Sequence, residues 1–274
     1  CPRRVGWTPA GRSPGRTCSR WSRPGPRPCL AHGAGGGIQG NFGLVLDDLA
    51  RDHTLIGPHY PGAGRTPVAS EPLDLDDLAD RLVAIAVAQG HESFAVLGES
   101  LGTTVAVRAA TRHPDRVTAL VLTAGFPVAD PVLALAAELI QILAKEGEWN
   151  AAARIACLSC MTNTQLSETS GAKLDALVTA TRTTMPPGTP DHFDLASRVD
   201  VRDDLPQVSV PTLVVAATGD RLVLPDSHRS LADGIPGSTL IELPGAAHIL
   251  GETDRASWLP HVRKFLATVE PHSA

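Results

Sequence analysis

Apolar residues fall into two rhythms along this chain, and the rhythms alternate. From residue 29 onward, short runs that are apolar at most positions occur at 29–31, 54–57, 93–97, 117–123, 212–217 and 239–243. Between them lie longer stretches in which apolar residues recur every three or four positions, at 41–51, 73–89, 101–113, 225–232 and 255–268. The short runs predict buried strands, and the longer stretches predict helices with one face on a core. Strands alternating with helices predict an α/β fold, a mostly parallel sheet flanked by helices. Ligands of such sheets bind in the loops beyond the carboxyl ends of the strands. The alternation stops between Asp130 and Val208, where helix-like stretches at 131–145, 150–159 and 170–183 follow one another without a strand. An all-helical insertion between two strands is most simply a cap over the site. The expected division is a leader at 1–28, a core at 29–129 and 209–274, and a helical cap at 130–208.

The leader fits neither rhythm. It carries seven arginines and no acid, and is otherwise rich in Pro, Gly and Ser. Without an apolar central segment it is not a secretion signal, and its composition predicts disorder. It opens on Cys1 and reads like GC-rich DNA translated in another frame, so the expectation is that it is not the natural start of the protein. A native mass matching all 274 residues would refute that. Beyond the leader acids outnumber bases by 29 to 17, and the whole chain carries a net charge of −5. That balance gives nucleic-acid binding no electrostatic support. No apolar run reaches the roughly 18 residues of a membrane span, while a 43% hydrophobic content suffices for one large domain. Three lysines against 21 arginines reflect GC-rich coding. Of five cysteines, Cys1 and Cys18 lie in the leader and Cys29 starts a strand. Cys157 and Cys160 form a lone C-x-x-C; a structural zinc site needs four ligands, so these two are expected to pack among apolar helices in a reducing cytoplasm.

Candidate chemistry gathers in loops that follow strands. Gly98-Glu99-Ser100-Leu101-Gly102 joins the strand 93–97 to a helix-like run. A serine on a strand-to-helix turn, with glycines two residues to either side, has the form of a nucleophile elbow. The turn leaves no room for side chains at the glycines, and the helix that follows aims free N–H groups at the spot where an oxyanion would form. A serine needs a base, and the base needs an acid to orient it. Among ten histidines, His248 stands out, because it sits in a short loop of small residues after the strand ending at Leu243. His113 reads as a helix cap, and His53, His91, His192, His228, His261 and His272 read as surface residues. For the acid, Asp220 follows the strand 212–217, with Asp130 and Asp254 as rivals. The order serine, acid, histidine of elbow folds favours Asp220. The glycine-rich turn His32-Gly33-Ala34-Gly35-Gly36-Gly37 after the first strand could bring a backbone N–H to an oxyanion, with the N–H of Leu101 as the second donor. A phosphate loop is excluded there for want of a Gly-Lys-Ser/Thr ending.

In this order the pieces resemble the α/β-hydrolase superfamily. The motifs that carry the resemblance are His32-Gly33, Pro61-Gly62-Ala63-Gly64-Arg65-Thr66, the elbow at 98–102, His113-Pro114-Asp115-Arg116-Val117, Gly219-Asp220 and His248. The resemblance covers about residues 29–268, the cap matching only in placement and helical character. It implies Ser100 as nucleophile, His248 as base, Asp220 as acid, and the backbone N–H groups of Ala34 and Leu101 as the oxyanion hole, with no metal or organic cofactor. Three features depart from the family. Residues 1–28 make poor candidates for the two antiparallel strands that usually come first. Glu99 stands where histidine is more frequent, and could raise the pKa of His248, repel anionic substrates or be hydrogen-bonded and structural. His59 stands where many relatives have aspartate.

The expected activity is that of a serine hydrolase acting on an ester, thioester or lactone of a small, partly apolar acyl substrate. Leu133, Leu135, Leu139, Ile140, Ile142, Leu143, Trp149 and Met161 would supply an apolar lid. The same fold and triad also serve acyl elimination, acyl transfer and cyclisation, and the GC-rich coding makes a lyase of natural-product biosynthesis an alternative. Dehalogenases and epoxide hydrolases of the fold would require aspartate at position 100. A non-catalytic binding protein would be expected to have lost Ser100, Asp220 or His248.

Overall fold

The structure is a computed structural model that describes residues 27–269; residues 1–26, with Cys1 and Cys18, and His272 lie outside the described residues. Strands β1 (Cys29–Ala31), β2 (Phe94–Glu99) and β4 (Thr212–Ala217) are buried at every position, and β3 (Val117–Thr123) at all but one. Such strands need cover on both faces, and alternate side chains go to opposite sides. Ala95 and Leu97 of β2, Ala119 and Val121 of β3, and Leu213 and Val215 of β4 pack with helices α1 (Ile38–Leu49) and α10 (Glu252–Thr268), around Phe42 and Trp258. Phe94, Val96, Leu120, Leu122 and Val214 face the other way, toward α2 (Leu75–Ala88), α3 (Leu101–Arg112) and α9 (Pro225–Gly234). Strand β5 (Thr239–Leu243) closes the sheet at an exposed edge.

The sheet runs β1-β2-β3-β4-β5, all parallel. The run 54–57, expected as a strand, contributes a single parallel bridge from Ile56 to Cys29. Gly57 and Pro58 end it, since proline has no N–H to extend a ladder. The bridge still decides topology. The chain leaves β1, passes to Ile56 on one side and returns through α2 to β2 on the other. The crevice beyond the carboxyl ends of β1 and β2 is therefore the topological switch point, where ligands of open α/β sheets bind. Ala31 pairs with Gly98, and Gly98 with Leu122, so three strands end at the same level there.

The predicted helices of the core are all present, their ends shifted by at most three residues. Between β3 and β4 stand five helices: α4 (Pro131–Lys145), α5 (Trp149–Cys160), α6 (Asn163–Ser167), α7 (Gly171–Thr184) and α8 (Thr189–Arg198). Two of these escaped the sequence pattern. Helix α6 is too short for a period, and the buried face of α8 includes Thr189 and His192, so its apolar stripe is broken. The insertion has small cores of its own, one around Ala137, Ile140, Ala152 and Phe193, another around Ala153, Cys157 and Val178. Its ends meet at an antiparallel bridge between Val128 and Asp200. Of the residues expected to form an apolar lid, Leu133 and Ile140 are buried, but Leu135, Leu139 and Ile142 lie on the outer face of α4, exposed to solvent.

Candidate active site

Ser100 is held by a turn that its neighbours force. Its φ of 54° and ψ of −123° lie in a region that side chains other than glycine rarely adopt. The turn closes so tightly that a Cβ on Gly98 would stand 2.4 Å from the Gly102 carbonyl oxygen, and one on Gly102 would stand 2.0 Å from that of Ala31. The Ser100 N–H is anchored on the Thr123 carbonyl at 3.0 Å.

The three residues singled out in distant loops converge. Ser100 Oγ lies 3.0 Å from His248 Nε2, and His248 Nδ1 lies 2.6 Å from Asp220 Oδ2. Asp220 Oδ1 accepts the backbone N–H groups of Leu222 and Val223, each at 2.9 Å. All three residues are buried. Burial favours a neutral Asp220, but the charge and hydrogen bond of His248, with the His228 ring 3.3 Å away, outweigh it and hold the carboxyl well below the usual carboxylate range. For His248, burial works against the charged form, and Asp220, helped by Glu99, more than reverses it, so its pKa is raised. The arrangement can move a proton from the serine hydroxyl to a histidine whose tautomer is set by a carboxylate.

The rival acids are occupied elsewhere. Asp130 caps α4 through the N–H groups of Val132 and Leu133 and also accepts from Leu224 N–H and the Ser227 hydroxyl. Asp254 accepts the Gly251 N–H at the start of α10. Glu99 answers to two of its expected roles at once. It is buried, accepts from Asn41 Nδ2 at 3.0 Å and from Arg255 Nη2 at 2.5 Å, and still raises the pKa of His248. His113 ends α3 as its C-cap and meets Asp80 at 2.7 Å.

Four histidines expected on the surface are buried instead: His53, His91, His192 and His228. Polar residues on short helices and turns give no local sign of what the fold will lay over them. His192 braces the glycine-rich turn: its Nδ1 accepts the Gly35 N–H at 3.3 Å, and its Nε2 donates to the Pro61 carbonyl at 2.8 Å. His32 does the same from below, accepting the Tyr60 N–H at Nε2 (3.1 Å) while Nδ1 donates to the Gly33 carbonyl (2.8 Å). Both rings are thus neutral, and burial lowers their pKa values to about 3 for His32 and about 4 for His192. The Gly33 N–H goes to Asn41 Oδ1 at 3.2 Å. Ala34 sits between these two fixed neighbours and borders the same cavity as Ser100. Leu101 opens α3, where the first N–H groups of a helix have no intrahelical partner.

Ser100 and His248 open into a cavity of about 370 Å3, the size of a small-molecule site. The turn at 33–37 and His59 line one side, and Leu133, Ala156, Met185 and Phe193 of the insertion cover the other. His59 Nδ1 is buried without a hydrogen bond, its ring meets that of His32, and burial lowers its pKa. Gly37 and Gly64 leave room for its ring, which a Cβ on Gly64 would meet at 2.6 Å. Cys157 packs in the insertion as expected, against Thr181 at 3.3 Å. Cys160 also packs against apolar core side chains as expected, and it lines the cavity as well, its thiol pushed up by burial.

Comparison with known proteins agrees with this fold. A family model described as alpha/beta hydrolase fold matches residues 29–254. A pimeloyl-[acyl-carrier protein] methyl ester esterase of Neisseria meningitidis is 30% identical over 87% of this chain and 90% of its own length. The polyketide synthase ThaQ of Burkholderia thailandensis is 32% identical over 88% of this chain, which spans 12% of that much longer protein. Among solved structures, the enol-lactonase of Burkholderia xenovorans superposes with a TM-score of 0.77 at 21% identity, over 89% of this chain and 92% of that one.

Proposed function

This chain belongs to the alpha/beta hydrolase fold family, and from that premise we propose that it is a serine hydrolase cleaving an ester, thioester or lactone of a small, partly apolar acyl substrate. The observation that carries the reading is the unbroken run of contacts from Ser100 through His248 to Asp220 at the floor of an apolar cavity. Ser100 Oγ attacks the acyl carbonyl while His248 Nε2 takes its proton. Backbone N–H groups of Ala34 and Leu101 receive the oxyanion, each of which would be worth about 3–4 kcal/mol of the barrier. His248 then protonates the leaving group, and water, deprotonated by the same histidine, releases the acid from Ser100. Asp220 keeps the imidazolium oriented and stabilised throughout. Residues 130–208 act as the cap, and Leu133, Met185 and Phe193 favour an apolar acyl chain. The likeness to an esterase of an acyl-carrier substrate supports an acyl ester or thioester.

One observation favours a second reading. The match to a stretch of a polyketide synthase fits an enzyme that transfers, cyclises or eliminates an acyl group in natural-product assembly. Exposure to a fluorophosphonate probe, followed by intact-mass spectrometry, tests what both readings share. A single adduct that disappears in Ser100→Ala supports an activated serine; no adduct, where a known serine hydrolase reacts, refutes it. Reaction in heavy-oxygen water then separates the two, because only hydrolysis places solvent oxygen in the acid product.

A further inference from the structure

Ala34, the proposed oxyanion donor, stands on the glycine-rich turn between β1 and α1, where no ladder or helix holds the backbone. Side chains tie down its two neighbours instead. The Gly33 N–H goes to Asn41 Oδ1 at 3.2 Å, and the Gly35 N–H to His192 Nδ1 at 3.3 Å. The Ala34 N–H between them has no partner among the described residues. The turn also touches the elbow, since a Cβ on Gly33 would stand 3.1 Å from Ser100 Cβ.

Asn41 lies in the first turn of α1, and its amide folds back into the turn. A Cβ on Gly36 would stand 3.0 Å from the same amide oxygen, so the turn wraps closely around it. The other end of the amide, Nδ2, donates to Glu99 Oε1 at 3.0 Å. Glu99 Oε2 in turn accepts from Arg255 Nη2, which also donates to the Asn41 carbonyl at 2.6 Å. Arg255 Nε and Nη1 are buried without a hydrogen bond, so Nη2 alone serves this buried cation, and Glu99 and Asn41 are its acceptors.

This chain of contacts has a direction. A guanidinium and a backbone N–H only donate, a carboxylate only accepts, and an amide does each at one end. With a carboxylate at position 99, every contact from Arg255 to Gly33 joins a donor to an acceptor. Turning the Asn41 amide over would set N–H against N–H at Gly33 and oxygen against oxygen at Glu99, in a site where water cannot repair either. We propose that Arg255, Glu99 and Asn41 are positioning residues that lock the Asn41 amide in one orientation and so fix the Gly33 peptide and the aim of the Ala34 N–H at the oxyanion. The role rests on the reading of Ser100 as nucleophile and of Ala34 and Leu101 as oxyanion donors. Such donors lower the barrier only when they are held where the charge develops, so a turn free to shift would weaken the transition state more than substrate binding.

Asn41→Ala removes the amide and no charge. Rates for a p-nitrophenyl acyl ester are taken per serine that reacts with a fluorophosphonate, on the alkaline plateau where His248 is neutral. There kcat is expected to fall on the order of 10–100-fold with KM within about two-fold of its original value. The Ki of a trifluoromethyl ketone, which forms a tetrahedral oxyanion on Ser100, should rise by the same factor as kcat falls. An unchanged kcat, or a loss confined to KM, overturns the proposal. Glu99→Gln places an N–H where one of two acceptors stood, and should also lower kcat. Adding Asn41→Asp gives that N–H an acceptor and reverses one hydrogen bond, so the double variant is expected to recover most of the loss; one no better than Glu99→Gln alone overturns the lock. Hydrogen exchange at the Gly33 amide reads the turn without catalysis, and it should be several-fold faster in Asn41→Ala. Equal exchange overturns the proposal. Should Ser100 fail to react with the fluorophosphonate, the oxyanion role falls with the triad, while faster Gly33 exchange in Asn41→Ala still establishes the lock on the turn.

Discussion

At the scale of the residue, the proposed chemistry rests on one serine and two loops far away in sequence. In the proposed triad Asp220 does two things for His248, fixing the tautomer and stabilising the charge. Asp220→Asn keeps the shape and reverses the hydrogen bond, so kcat for an activated ester is expected to fall on the order of 10³–10⁴-fold with little change in fold. Far-UV circular dichroism beside steady-state rates would check both halves. The same residue accounts for a pH effect. Because Asp220 and Glu99 raise the pKa of His248, the acidic limb of kcat/KM is expected above the ordinary histidine value of about 6.5. A limb below that value would contradict the electrostatics described. Much of this was legible in the sequence. Ser100 and His248 stand out by their positions after strands and Asp220 by the serine, acid, histidine order, and the glycines of the elbow stand where a Cβ would collide with backbone. His192 and His228 were misread, since a polar residue on a short helix carries no local sign of burial.

At the scale of the element, a buried ion pair ties three pieces of secondary structure behind the site. Arg255 of α10 meets Glu99 at the end of β2 and the Asn41 carbonyl of α1, and its guanidinium lies over the Trp258 ring at 5.2 Å. Breaking one side leaves a buried charge unpaired. Arg255→Met is therefore expected to destabilise the protein by about 3–5 kcal/mol in urea unfolding, and Glu99→Met added to it to recover part of that loss. A double variant no more stable than the single one would mean the pair is not the source. The insertion offers a second test. Phe193 on α8 lines the cavity and packs in the insertion. Phe193→Ala should widen the pocket and shift the preferred acyl ester to a longer chain, read as a change in the ratio of kcat/KM between short and long p-nitrophenyl esters. The three helices expected in the insertion are present as α4, α5 and α7. Helix α8 was missed because its buried face carries Thr189 and His192, which interrupts the apolar period.

At the scale of the whole molecule, stability against pH follows from what is buried. His32 and His192 are neutral in the fold, with pKa values of about 3 and about 4. The unfolded chain protonates both near pH 6.5, so it binds more protons than the folded one between there and those values. Stability should fall as pH drops from about 6.5 toward 4, by at most about 1.4 kcal/mol per pH unit for each histidine. His248 acts in the opposite sense and in another window. Its folded pKa is raised, so its contribution is full below about pH 6.5 and is lost as pH rises through the folded value. Asp220 acts lower still: its contribution holds above about pH 3.9 and is lost as pH falls below it. Denaturant midpoints measured from pH 8 to pH 4 should show the loss on the acid side of about 6.5, reduced in His192→Asn; a flat profile would refute the neutral buried pair. Among the described residues, no helix is long and apolar enough to cross a membrane.

What the sequence by itself determined was local. Period and turn chemistry act over a few residues, so they specify strands, helices, the elbow around Ser100 and the loops that carry Asp220 and His248. What only the tertiary structure decided was distance and environment. Whether Ser100 Oγ and His248 Nε2, from residues 148 positions apart in the chain, stand 3.0 Å apart depends on the register of the parallel strands that carry their loops. Whether Glu99 is a free charge or half of an ion pair depends on α10 crossing α1 beneath it. Whether His228 is solvated or sealed against Asp220 depends on how α9 lies on the sheet. Burial and through-space charge are properties of the assembled molecule, and no short stretch of sequence contains them.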